Sequence, residues 1–237
     1  MSIDAVVFDW GGTLAEYADV EMMDMWRLAA RHLAPEREHE VCAALVAVEE
    51  ASWARVAADR RSTTLAALLV EASARLGLDV ADAVLEEAAA HHLDAWTPHV
   101  RHDPRAVPAL ARLRDLGLRI GLLSNTHWPR AFHERFLERD GLAAFIDVRC
   151  YTSELAHTKP HPEAFRSVLD ALGVADPARA VFVGDRPYDD IFGARSFGMR
   201  AVLRPNPLVP DYAVVPDARI ERLDELPELV AGWRSGD

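Results

Sequence analysis

Val6-Val7-Phe8-Asp9-Trp10-Gly11-Gly12-Thr13-Leu14 reads as a short apolar strand that ends on a carboxylate and runs straight into a glycine-rich turn. An unbroken apolar run of this length suits a strand of a parallel sheet, buried on both faces. Such a strand presents Asp9 at the carboxyl edge of the sheet, where open α/β folds bind ligands. Gly11 and Gly12 let the backbone beyond Asp9 approach a phosphate or a metal closely.

Working outward, residues from about 19 to 97 read as helix after helix with no strand signal. Met22, Met23, Trp26, Leu28 and Leu33 mark one apolar face, Val41, Leu45, Val48 and Trp53 a second, and Leu65, Leu68, Leu69 and Leu76 a third. Val84, Leu85, Ala88, His92 and Leu93 continue the pattern to Trp96, where Thr97-Pro98 stops it. After Pro104 the rhythm changes. Helices are predicted near 105–116, 130–139, 161–172, 189–197 and 223–231, alternating with strands near 118–124, 146–150, 180–184 and 200–203. Alternating strands and helices predict an α/β fold, a doubly wound Rossmann-like parallel sheet covered on both faces. The expected organisation is a core of residues 1–16 and 103–237 with an α-helical cap of residues 17–102 inserted after the first strand. The connections near 15–18 and 97–104 would be its hinges.

With 237 residues, half of them hydrophobic, the chain can bury a sizeable core. A net charge of −12 with scattered arginines argues against nucleic acid or an anionic membrane as a partner. Cys42 and Cys150 are far apart and in no metal-ligand spacing. With no signal peptide and no apolar run near the ~18 residues that span a bilayer, they point to a cytoplasmic protein. Monomer and homodimer are both compatible with the apolar helical faces.

The strand ends carry the chemistry. Phe8-Asp9-x-x-Gly12-Thr13-Leu14, Leu123-Ser124-Asn125, Lys159-Pro160 and Val183-Gly184-Asp185-x-x-x-x-Asp190-Ile191 follow one another in order. Together they resemble the four motifs of the haloacid dehalogenase-like hydrolase superfamily, and the helical insertion resembles the cap of its largest branch. The resemblance covers essentially the whole chain. It implies that Asp9 is a nucleophile attacking phosphorus and that Mg²⁺ is held by Asp9, the Gly11 carbonyl, Asp185 and, further out, Asp190. Ser124 and Lys159 would stabilise the transferring phosphoryl group, and Gly12, Thr13, Ser124, Asn125 and Lys159 would bind the substrate, a small phosphorylated metabolite. Lys159 is the single lysine of a chain that uses arginine everywhere else, which suggests that a compact ammonium is needed there.

Gly11 departs from the pattern. Phosphatases of the superfamily have an aspartate there that protonates the leaving oxygen, help worth roughly 10²–10⁴-fold in rate. His127, directly after Ser124-Asn125-Thr126, is a substitute donor of suitable pKa; an acyl phosphate or phosphoanhydride would need little protonation. A silent or weak member that binds a phosphorylated ligand or protein partner is the alternative. Phosphonoacetaldehyde hydrolases share the Asp9-Trp10-x-Gly12-Thr13 pattern but need a cap lysine, and residues 15–104 contain none. A 2-haloacid dehalogenase is the second alternative, but those enzymes have an aromatic residue where Gly11 stands and use no metal, whereas this chain keeps the metal-type Gly184-Asp185.

His91, His92, His99 and His102, with Asp94 and Asp103, match no familiar ligand spacing and read as a solvated linker. Met22, Met23, Met25 and Trp26 read as cap core, Arg27, Arg55, Arg60 and Arg61 as exposed, and Arg234 to Asp237 as a frayed tail.

Overall fold

The computed structural model describes residues 3–235. Strand β1, Ala5–Phe8, is fully buried, and its neighbours are β2, Arg119–Ser124, and β4, Ala180–Gly184. Strand β3, Val148–Tyr151, flanks β2; β5, Arg200–Leu203, and the two-residue β6, Ala218–Arg219, follow β4. All pairings are parallel, in the order β3-β2-β1-β4-β5-β6. The chain builds one half of the sheet outward from β1 and then crosses to the other side of β1 for β4. The switch point therefore lies between β1 and β4, at Asp9 and Asp185.

Alternate residues of β1 serve two cores. Val6 and Phe8 pack with α5, Ala106–Asp115, α6, Arg130–Arg139, and α9, Leu226–Ser235. Ala5 and Val7 pack with α7, Pro162–Leu172, and α8, Gly193–Phe197. This is why β1 shows no polar alternation.

Four helices stand apart from the sheet: α1, Met22–Leu33, α2, Glu38–Asp59, α3, Leu65–Arg75, and α4, Asp82–Trp96. They share their own apolar cluster around Trp26, Leu45, Val48, Leu68 and Leu69. The two connections to the sheet run antiparallel side by side. Ala15 bridges His102, and the Glu16 amide donates to the Arg101 carbonyl at 2.8 Å. A further tie joins the α2–α3 loop to the segment before α7, where Ser62 and Thr158 amides donate to the Ala156 and Arg60 carbonyls.

Several elements differ from the sequence reading. Leu28 is exposed, because α1 is covered on its Trp26 side alone. The expected helix at 189–197 opens as a wide π turn over Pro187–Phe192 before α8. Strand β6 lacks an apolar run and forms by pairing with the edge of β5. Arg234 and Ser235 belong to α9, while Gly236 and Asp237 lie outside the described residues. Among the described residues no helix is long and apolar enough to cross a membrane.

Candidate active site

Asp9 leaves β1 with its amide still bonded to the Val183 carbonyl of β4, at 2.9 Å. The chain then reverses. Ala15 and Thr13 amides donate to the Trp10 carbonyl, and Gly12 adopts φ +83°, a left-handed conformation that glycine accommodates without strain. A Cβ on Gly12 would overlap the Asp185 carboxylate, so this turn has been shaped to let two strand ends meet.

Asp9, Asp185 and Asp190 are all buried, and one carboxylate oxygen from each lies within 4.8 Å of the others. Lys159 Nζ stands between two of them, 2.6 Å from Asp9 Oδ1 and 2.8 Å from Asp190 Oδ1. Asn125 fixes the lysine's backbone from both sides: its Oδ1 accepts from the Lys159 amide at 2.9 Å and its Nδ2 donates to the Lys159 carbonyl at 3.0 Å. The Lys159 peptide to Pro160 is cis.

One ammonium against three buried carboxylates leaves the cluster short of positive charge. Burial raises the Asp9 pKa despite Lys159 beside it. Burial, with Asp9 and Asp190 nearby, raises Asp185 to about 7, and burial with Asp190 raises Asp189 to about 6. Desolvation opposes the Lys159 charge, but Asp190 and Asp9 more than offset it and its pKa is raised. Asp185 Oδ2 accepts from Asn206 at 2.8 Å, while its Oδ1 is buried without a partner. An orphaned oxygen in a carboxylate cluster is what a divalent cation with oxygen ligands would satisfy, so these residues fit Mg²⁺.

A cavity of about 560 Å³ opens over Asp9 and runs to the helical bundle. Asp9, Gly11, Ser124, Asn125, His127, Lys159 and Asp189 lie in its wall. Gly12 and Thr13, expected to bind substrate, do not: Gly12 is pressed against Asp185, and Thr13 is fully buried beneath the turn, its carbonyl taken by Arg204. His127 is 5% exposed and far from a solvent-facing loop histidine. Burial lowers its pKa to about 4, which corrects the near-neutral titration expected of it: at pH 7 it is the neutral imidazole.

Asp94 of the histidine run is exposed, as a solvated linker would be, but His92, His102 and Asp103 are not. His92 is fully buried, stacked on Trp26 with ring centroids 3.6 Å apart. His102 Nδ1 pairs with Asp140 at 2.7 Å, so its Nε2 accepts from Trp10 Nε1 at 3.0 Å. Asp103 pairs with Arg204 at 2.6 Å. His102, through Trp10, and Asp103, through Arg204 and the Thr13 carbonyl, lock the turn after Asp9 to the core. Among the exposed arginines expected, Arg60 is half-buried and donates to the Tyr188 hydroxyl at 2.6 Å.

Some site residues carried no sequence signal. Glu49 and Trp53 of α2, Trp96 of α4, and Trp128 line the cavity's far wall, and Asn206 reaches Asp185 from beyond β5. They converge through tertiary folding and fall in no shared motif; their residue types alone could have raised them.

A model of the haloacid dehalogenase-like hydrolase family matches residues 3–198, and the chain belongs to that family. It is 34% identical over 111 residues to a glyceraldehyde 3-phosphate phosphatase of Pyrococcus abyssi, covering 44% of this chain and 42% of the relative. It is 39% identical over 124 residues to a phosphoserine phosphatase of Thermus thermophilus, covering 52% of this chain and 49% of the relative. The chain thus spans about half the length of these curated relatives. Over nearly its whole length it resembles the crystal structure of a 2-haloacid dehalogenase from Pseudomonas syringae pv. Tomato, with 26% identity, a TM-score of 0.69, and 98% of this chain and 99% of that one covered.

Proposed function

We propose that this hydrolase is a Mg²⁺-dependent phosphatase of a small phosphorylated metabolite, working through an aspartyl-phosphate on Asp9. The observation that carries the reading is the Asp9–Lys159–Asp190 arrangement at the switch point, with the orphaned Asp185 oxygen beside it and the cavity above. Lys159 holds Asp9 Oδ1, which leaves Oδ2 to attack phosphorus. The bond from phosphorus to the leaving oxygen breaks, and water then hydrolyses the mixed anhydride, returning the Asp9 carboxylate and releasing phosphate. Ser124, buried at the end of β2 in the cavity wall, donates its hydroxyl to the phosphoryl oxygens, and Lys159 offsets their charge. Mg²⁺ held by Asp9, Asp185, the Gly11 carbonyl and, further out, Asp190 would offset the repulsion between carboxylate and phosphate.

With glycine at position 11 and His127 neutral, neither of these two positions supplies a strong acid for the leaving oxygen. Esters and anhydrides with good leaving groups are therefore the favoured substrates. Residues 17–102 act as a cap that covers the cavity and selects among them. The test is phosphate release from p-nitrophenyl phosphate, acetyl phosphate and alkyl phosphates, with Mg²⁺ and with EDTA. Release that needs Mg²⁺ and is fastest for the activated compounds supports the reading. Halide release from 2-haloacids without metal would instead support the dehalogenase reading that the likeness to the Pseudomonas syringae structure raises. No turnover of either kind, with Mg²⁺ bound, would leave a binding role.

A further inference from the structure

We infer that the far end of the cavity takes an organic cation: the substrate is a small phosphomonoester whose alcohol carries an ammonium group. The inference rests on the phosphatase reading and adds the leaving group's chemistry. Two cationic side chains line the cavity, and both are engaged at the Asp9 end, Lys159 with Asp9 and Asp190, and Arg186 3.8 Å from Asp189. Toward the bundle the charged lining residues are Glu49 and Glu50, with no Lys or Arg among them.

Glu49 is 8% exposed. Its Oε2 accepts from Trp26 Nε1 at 2.7 Å, which aims the carboxyl group from α2, and its Oε1 lies 3.4 Å from His127 Nε2. His127 is neutral, and among the described residues no Lys or Arg reaches Glu49. A carboxylate buried beside a cavity without a cationic partner is costly unless something supplies the charge. Burial raises its pKa, as expected of a carboxyl group lacking that partner.

The same end is walled by aromatic rings. Trp96 and Trp128 lie with centroids 5.0 Å apart, and Trp53 lies 5.5 Å from His127. Aromatic faces attract cations, most strongly where water is excluded. An ammonium group held by these rings and Glu49 would supply the missing charge. It would also draw electrons from the alcohol oxygen, easing departure of that oxygen at a site where Gly11 offers no acid. Hydrolysis is otherwise unchanged: the phosphorus–oxygen bond breaks, and water provides the elements of the alcohol and phosphate.

The test compares choline phosphate with 3,3-dimethylbutyl phosphate, which has the same shape with carbon in place of nitrogen, and adds ethanolamine phosphate to separate quaternary from primary ammonium. With Mg²⁺, kcat/KM for at least one cationic ester should exceed that of the neutral isostere by about tenfold or more. E49Q should bring that ratio toward one, and W53L, which removes an aromatic face at a partly exposed position, should lower it independently. Tryptophan fluorescence should be quenched saturably by choline and not by 3,3-dimethylbutanol. A ratio of one in the wild type, or a ratio that neither E49Q nor W53L changes, overturns the inference. Turnover of p-nitrophenyl phosphate without cation preference would sink this inference and leave the phosphatase reading standing. Selective choline binding without turnover of any phosphate ester would sink the phosphatase reading, and with it the phosphomonoester substrate, and leave the cation site alone standing.

Discussion

Gly11 and Gly12 are neighbours with opposite tolerances. A Cβ at Gly11 meets nothing within 4 Å, whereas at Gly12 it strikes Asp185 in a backbone of φ +83°. Gly11→Asp should therefore fold normally and restore a leaving-group acid, raising kcat on alkyl phosphates by roughly 10²-fold while changing acetyl phosphate turnover little. Equal effects on both would show that protonation is not what the site lacks. Gly12→Ala should destabilise the protein by about 1–3 kcal/mol in urea unfolding and weaken Mg²⁺ binding; wild-type values for both would contradict the close approach. At this scale the gathering of Asp9, Lys159, Asp185 and Asp190 into one cluster was legible, because each stands in a short motif at the end of a strand or the start of a helix. The neutral state of His127 was not, since the burial that sets it comes from residues far away in the chain.

Helices α1, α2 and α4 meet at Trp26, which is fully buried, stacks on His92 and donates to Glu49. Trp26→Phe removes one donor, leaves a buried carboxyl oxygen unsatisfied and keeps most of the ring. It should cost about 1–3 kcal/mol by urea unfolding, and an unchanged midpoint would remove Trp26 from this role. Element order was readable because the apolar runs of β1, β2 and β4 and the helical faces have distinct periods. The wide turn at Pro187–Phe192 and the short β6 were not. The first bends so that the Asp190 carboxylate turns back and accepts a hydrogen bond from the Arg186 amide at 2.9 Å, and the second exists through its pairing with β5 alone.

Across the whole molecule two sets of buried groups titrate in opposite senses. His92, His127 and His133 are lowered by burial to about 3, 4 and 3, so their contribution to stability is complete above pH 6.5 and is lost as pH falls toward those values. Asp185 and Asp189 are raised by burial to about 7 and 6, so theirs is complete below about pH 4 and is lost as pH rises through 6 to 7. Mg²⁺ needs the ionised carboxylates. Its increment to Tm should be small at pH 5 and full at pH 8, and equal increments would contradict the metal site. The doubly wound plan was visible from the strand–helix rhythm, and the insertion from its unbroken helical pattern. The cavity between them was not, because its walls come from α2, α4 and the loop after β2, which share no local signature. The most direct measurement is mass spectrometry of protein quenched in acid during turnover of acetyl phosphate with Mg²⁺. A phosphoryl adduct on the peptide containing Asp9, absent from Asp9→Asn, is the expected result. Steady phosphate release with no adduct in the wild type, or with full activity in Asp9→Asn, would contradict the aspartyl-phosphate mechanism.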